Sequence, residues 1–316
     1  MVSPGPAGVV SEGLGKPLRD VKENVFMIPA RNRLDHILPR SYLEGFTNPS
    51  SQGQLSVFDR RGRCWFEASP TTAGAEKGFY DYSPGSTPDI TADAAFSALE
   101  SRFPVVRKEL IASSFAAWGT HREFLLEYAQ MLRARSRLFR AQAMGYARQS
   151  IIGVVEEVVE EENPTGPGTI RTGLKVKPYA PQDEARHEQR LRNITITQMC
   201  MEIAKGAGLF SGLHWCLRVT EGSNHPVITA DEPVIALGSA PEAPVLREDV
   251  LMHPDTWLVF PVCREACLIG NIGNSFKIEP ETAPFQPSGL AWLQGRYFNA
   301  DSGFVYSPSR IALQEF

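Results

Sequence analysis

From Thr120 onward, Leu125, Ala129, Leu132, Phe139, Ala143 and Tyr146 recur at helical spacing. One face of a long helix therefore collects the apolar side chains. Thr120 and Glu123 form a capping box ahead of this run. The threonine hydroxyl takes a free backbone N–H, and the glutamate reaches back to the N–H of the threonine. A helix of this length cannot bury its face alone, so the flanking segments must supply the layer that covers it.

Those flanks change period. Upstream, Gln54 to Asp59 reads as a strand carrying Leu55, Val57 and Phe58, and Asp59-Arg60-Arg61-Gly62-Arg63 reads as a turn. Cys64-Trp65-Phe66 is the return strand, which makes a hairpin. Ile90 to Ser101 predicts a helix, and Pro104 predicts the opening of another through Val105, Val106, Leu110 and Ile111. Ile151 to Glu162 is apolar and acidic by turns, and Asn163-Pro164-Thr165-Gly166-Pro167-Gly168 ends it. After a loop or small hairpin, Asp183 begins a helix carried by Leu191, Ile194, Met199 and Ile203, with Gly206 and Gly208 as its stop. The segments His214–Thr220, Pro226–Thr229, Thr256–Val262 and Ala266–Ile269 read as strands. Pro287 to Asn299 reads as a helix, and Phe304-Val305-Tyr306 as a last short strand. Strands, then helices, then strands favour an α+β fold over alternating βαβ units. The expected architecture is an N-terminal β-hairpin region, a central helical region, and C-terminal antiparallel strands with a terminal helix. Residues 1–24, rich in Gly, Pro and Ser at the start, are expected to be a disordered tail. Residues 25–316 are expected to be a single domain with its helical middle at about 90–208.

Composition narrows the function classes. The 316 residues are 42% apolar, enough for a sizeable core, and the net charge is −4. Neither figure draws the chain as a whole toward nucleic acid or an anionic membrane, so any such contact would be a local basic patch. No apolar run is long enough to span a bilayer. No basic stretch followed by an apolar one marks a secretory signal. Five scattered cysteines, an odd number, argue against a disulfide framework and for a reducing, cytoplasmic setting. Cys263 and Cys267 flank Arg264 and Glu265 in what reads as a hairpin, with no second pair at zinc spacing.

Four groups of residues could carry chemistry. The segment Asp35-His36-Ile37-Leu38-Pro39-Arg40-Ser41-Tyr42-Leu43-Glu44-Gly45-Phe46 packs a histidine and an arginine against apolar anchors. His36 suits a general base or a metal ligand, and equally a turn stitched by a backbone hydrogen bond. Glu76, Tyr80 and Glu100 form a second set, whose carboxylates could ligate a divalent cation. In Val227-Ile228-Thr229-Ala230-Asp231-Glu232-Pro233-Val234 a β-branched strand runs into an acidic pair. Asp231 is either a catalytic or metal-binding carboxylate or the closure of an Asx-type turn. Arg133, Arg137 and Arg140 share a face of the expected long helix. That face could grip phosphate, or be neutralised by the acidic run Glu156 to Glu162. Asn299 and Asp301 stand where they could join a site or cap the preceding helix. No nucleophile elbow, phosphate loop or dinucleotide fingerprint is present.

The pieces His36-Ile-Leu-Pro-Arg-Ser-Tyr-Leu-Glu-Gly-Phe, Glu76-Lys-Gly-Phe-Tyr and Thr229-Ala-Asp-Glu-Pro-Val occur in that order, followed by Phe298-Asn299-Ala300-Asp301 and Val305-Tyr306. Together they resemble the bacterial domain-of-unknown-function family 4238. Ala230 stands where that family usually has Ser. The resemblance carries no activity, but it singles out His36, Glu76 and Asp231.

Two functions fit these signals. One is a metal-dependent hydrolase acting on phosphodiesters or nucleic acid. His36, Glu76 and Asp231 would be its catalytic residues, and Asp231, Glu76 and Glu100 would hold Mg or Mn. Arg40, Tyr80, Arg133, Arg137, Arg140 and Asn299 would meet phosphate, on nucleic acid or on a phosphorylated small molecule. The other is a non-catalytic interaction module, such as a sensor or effector of a bacterial stress or defence system, in which the same motifs hold the fold together.

Overall fold

The computed structural model describes residues 34–82, 90–91, 96–150, 154–162, 170–177, 184–220, 226–238, 253–273, 282–298 and 303–310. The expected N-terminal tail, Asn163 to Gly168, and Asn299 and Asp301 lie outside them. The described elements mix helices with antiparallel sheets, an α+β fold.

The N-terminal part holds β1 (Leu34–His36), α1 (Arg40–Leu43), β2 (Leu55–Asp59), β3 (Cys64–Ala68), β4 (Ala75–Lys77), β5 (Asp81–Tyr82) and β6 (Ile90–Thr91). The middle holds α2 (Ser97–Ala112), α3 (Trp118–Arg135), α4 (Arg137–Ser150), the paired β7 (Val154–Glu162) and β8 (Ile170–Lys177), α5 (Glu184–Ala204) and α6 (Gly208–Ser211). The C-terminal part holds β9 (His214–Val219), β10 (Thr229–Ala230), β11 (Ile235–Leu237), β12 (Trp257–Cys263), β13 (Ala266–Asn271), β14 (Thr282–Pro284), α7 (Pro287–Phe298) and β15 (Phe304–Ser307).

Two sheets organise the chain. One has the order β10-β15-β2-β3, so the last strand inserts beside the N-terminal hairpin. The other has the order β11-β12-β13-β9-β14, antiparallel except that β14 runs parallel to β9. The two-stranded pair β1–β4 sets Asp35 opposite Glu76 and His36 opposite Ala75. Tyr42 of α1 anchors the core. Its ring stacks on Phe260 at 6.2 Å and leans on Phe46 at 5.1 Å, and Phe103 stacks on Tyr128 at 4.0 Å. The Tyr42 hydroxyl donates to the Pro261 carbonyl across 2.8 Å and meets the Thr229 hydroxyl at 2.9 Å. The motif that opens with His36 is therefore stitched to both sheets.

The helical middle departs from the expected pattern in two places. Ile90 and Thr91 are strand, and α2 starts at Ser97 and runs through Pro104 instead of restarting there. A proline inside a helix leaves the carbonyl four residues earlier without its N–H donor. That carbonyl belongs to Glu100, and the Ser41 hydroxyl donates to it at 3.3 Å, which supplies the missing partner. The expected long helix is in fact two. Ser136 is extended at φ −64° and ψ 153°, and its hydroxyl accepts the Phe139 N–H at 3.1 Å. Ser136 thus caps α4, whereas Thr120 lies inside α3, whose N-cap is Ala117. Of the α4 residues in that spacing, Phe139 packs against the core that α3 faces and Ala143 is buried, whereas Tyr146 is 54% exposed.

Candidate functional site

The break at Ser136 sends the arginines on either side of it to different partners. Arg135, the last residue of α3, is 0% exposed. Its Nε donates to the Tyr80 hydroxyl at 2.6 Å, and its two terminal nitrogens reach the Glu100 carboxylate and the His36 carbonyl. The guanidinium carbon also lies 4.7 Å from the Phe96 ring centre and 5.0 Å from that of Tyr80. Burial alone would lower the pKa of Arg135, but Tyr80 and Glu100 outweigh it and raise the pKa above its ordinary value. Asp35, 1% exposed, accepts the Tyr80 backbone N–H at 2.9 Å. This cage welds β1 to the end of α3.

Arg137, the first residue of α4, turns the other way. Its Nε donates to Glu76 at 3.2 Å and its Nη1 to Asp231 at 2.9 Å. Asp231 is 2% exposed and saturated. Its Oδ1 accepts the Tyr306 hydroxyl at 2.6 Å, and its Oδ2 accepts the Phe304 N–H at 2.9 Å as well as Arg137. Burial and then the neighbouring Asp231 push the Tyr306 phenol well above its usual range. The next residue, Glu232, pairs with Arg60 at 3.4 Å, and Arg60 also donates to the Phe304 carbonyl at 3.3 Å. Burial first, and Asp231 second, raise the Glu232 carboxyl.

Gly303 makes this joint possible. Its φ is +92°, and a Cβ there would stand 2.8 Å from Asp231 Oδ2 and 3.1 Å from Arg60 Nη2.

Beside the joint is a cleft of about 540 Å³, walled by Val57, Phe304, Tyr306, Arg137, the chain from Phe66 to Ser69, which includes the Glu67 carboxylate, and that from Thr72 to Ala75. Pockets of roughly 300–1,000 Å³ are the usual size for small-molecule sites. The Arg137 side chain is 35% exposed at its wall. Phe66 and Phe304 meet edge to face at 6.0 Å.

The residues expected to act together divide into separate sets. Glu76 and Asp231 are joined through Arg137. Glu100, expected as a third metal ligand with them, sits instead with Arg135. Among the described residues, no group of three or more His, Cys, Asp and Glu is placed to hold a metal ion. The His36 ring does not reach Asp231 by any described bond. Its Nε2 donates to the Thr71 carbonyl at 2.9 Å. Arg40 pairs with Glu44 on the surface at 2.9 Å, and Tyr80 belongs to the Arg135 cage. The three arginines expected on one face do not act as one. Arg133 reaches Glu202 at 2.7 Å, Arg137 reaches Asp231, and the Arg140 guanidinium covers the Phe79 ring at 4.2 Å. The partners described for them come from β4, the end of β10 and α5; the side chains of Glu156 to Glu162 lie outside the described residues. Sequence reasoning missed Tyr306, Arg60 and Glu232 as members of the joint. The available signal was a tyrosine inside an apolar strand, since a buried phenol needs a partner.

The sequence pattern of the family described as protein of unknown function (DUF4238) matches residues 35–300. The chain belongs to this family. The matched DUF4238 segment contains the Arg135 cage and most of the Asp231 joint, while Gly303, Phe304 and Tyr306 follow it. No curated protein and no solved structure matches the chain.

Proposed function

We propose that the protein is a binding or sensor module whose cleft takes a small molecule carrying an acidic group and an apolar body. The observation that supports this reading is Arg137. Asp231 and Glu76 fix its guanidinium, yet it remains partly exposed at the cleft wall, and no bond from its Nη2 is recorded among the described residues. An arginine oriented in this way meets a carboxylate or phosphate with two parallel hydrogen bonds. The ligand's apolar part would lie on Phe66 and Phe304. Glu76, itself 43% exposed, is the weaker of the two clamps and gives way to the incoming acid. Asp231 remains as the buried anchor. The five free thiols fit a reducing, cytoplasmic setting. Among the described residues, no helix is long and apolar enough to cross a membrane.

Calorimetric titration with phenyl phosphate and benzoate tests this reading. Wild type is expected to bind, Arg137→Met to lose binding about tenfold or more, and Glu76→Gln to bind more tightly because a competing charge is gone. A wild type that binds neither probe, or an Arg137→Met variant that binds as well as wild type, overturns the proposal.

A hydrolytic role on phosphodiesters is the second reading. The exposure of Glu76 beside Arg137 favours it, because a solvent-reached carboxylate next to a phosphate-binding arginine could activate water. Turnover of bis(p-nitrophenyl) phosphate with Mg²⁺ or Mn²⁺, lost in Glu76→Gln while binding persists, would favour it over the module.

A further inference from the structure

Helices α4 and α5 pack side by side. Between them runs a groove of about 210 Å³ lined by Phe139, Ala143, Tyr146 and Met201 together with Gln142 and Gln198. It shares no lining residue with the Arg137 cleft. Tyr146 and Met201 are 54% and 61% exposed, which is unusual for large apolar side chains in one place.

Two carboxamides interrupt this apolar surface. Nε2 and Oε1 of Gln142 and Oε1 of Gln198 are shut off from water and have no hydrogen-bond partner among the described residues. The two charged residues at the same groove behave differently, since Glu202 and Lys205 pair with each other and Glu202 is also engaged by Arg133 and Gln130. Buried polar atoms are almost always paired, because each one left unpaired forfeits its bond to water. One donor and two acceptors left unmatched beside an apolar groove therefore favour any molecule that supplies the complement. The terminal torsion of glutamine is soft, so the carboxamides can turn into the groove at small cost.

We propose that the α4–α5 groove binds a planar heteroaromatic molecule with an adjacent donor–acceptor edge, of the kind a purine base presents. A glutamine carboxamide reads such an edge with two parallel hydrogen bonds, as it does the N6 and N7 positions of adenine. The Tyr146 side chain, 54% exposed, offers surface for stacking, while the Phe139 ring carries the Arg133 guanidinium 5.3 Å from its centre. An apolar cavity of about 150 Å³ accommodates benzene, so the groove has room for a bicyclic ring.

Ligand-observed NMR of the full chain with adenosine, and with benzene as a probe that has no hydrogen-bonding edge, tests the proposal. Wild type is expected to bind adenosine. Gln142→Leu should weaken it by about tenfold, keep benzene binding, and leave the thermal midpoint unchanged or higher because the unpaired amide is gone. Tyr146→Ala, at a side chain 54% exposed, should weaken adenosine as well. The proposal falls if wild type shows no adenosine binding. It also falls if Gln142→Leu lowers the midpoint while adenosine binding is unchanged, since the amides would then be an internal structural pair.

Discussion

Arg137 and Asp231, 94 residues apart in sequence, are joined by a 2.9 Å bond from Nη1 to Oδ2. The bond ties the first turn of α4 to the end of β10. Asp231 simultaneously holds β15 through Phe304 and Tyr306, so one carboxylate fastens three distant segments. Asp231→Asn replaces an acceptor with an amide whose NH₂ must face a donor. The substitution is expected to cost about 2–4 kcal/mol in urea unfolding. A loss below about 0.5 kcal/mol would mean that the joint is not structural. A double-mutant cycle with Arg137→Met isolates the pair, and a coupling near zero would show the two residues to be independent.

Tyr306→Phe removes only the hydroxyl that donates to Asp231 Oδ1. The cavity is unchanged, so the expected cost, about 1–3 kcal/mol, comes from an acceptor left without its donor. Equilibrium unfolding of the two proteins in parallel measures it, and equal stability would show that Asp231 is satisfied without the phenol.

Arg135→Met removes the fully buried guanidinium of the cage and takes one donor each from Glu100 and the His36 carbonyl, which keeps the Tyr80 hydroxyl. The expected cost is about 3–5 kcal/mol. Arg135→Lys keeps the charge but is expected to recover only a minor part. A compact ammonium cannot span Tyr80, Glu100 and His36 at once. Near-complete rescue by lysine would show that charge alone, not the planar fork, holds the cage.

Gly303→Ala tests the close approach at the joint. The residue sits at φ +92°, and a Cβ would press on Asp231 and Arg60. Strain of this kind costs about 1–3 kcal/mol before any displacement of the ion pair. A thermal midpoint matching that of wild type would contradict the geometry.

Glu202 gives the fold an acid-sensitive contact. Burial raises its carboxyl, but Lys205 and Arg133 outweigh that and hold it below the ordinary range. A carboxyl depressed in the folded state stabilises above its unfolded pKa of about 4.3 and loses that contribution as pH falls through the lower folded value. Glu202→Gln should therefore be less stable than wild type at pH 7, and the gap should narrow toward pH 3. A gap that stays constant with pH would show that the ion pairs with Lys205 and Arg133 contribute nothing.

Local chemistry alone determined a good deal of this protein. The hairpin at Leu55 to Ala68, the strands His214–Val219, Trp257–Cys263 and Ala266–Asn271, the helix from Pro287 and the apolar anchor at Tyr42 follow from period, turn residues and side-chain class, which act over a few neighbours, whereas β10 begins only at Thr229, not Pro226, and β11 was not expected. The motifs around His36, Glu76 and Asp231 also stood out, because polar groups embedded among apolar ones require partners. Only the tertiary structure decided who those partners are. Ser136 looked like one more position in a helix, yet its extended backbone ends α3 there, and Arg135 and Arg137 on either side of it reach different partners. Pro104 looked like a helix start, yet Ser41, 63 positions earlier, satisfies the carbonyl it strands. Tyr306 could not be assigned to Asp231 until β15 inserted beside β2. In each case the deciding bond joins residues far apart in sequence, and its geometry exists only once the sheets and helices have packed.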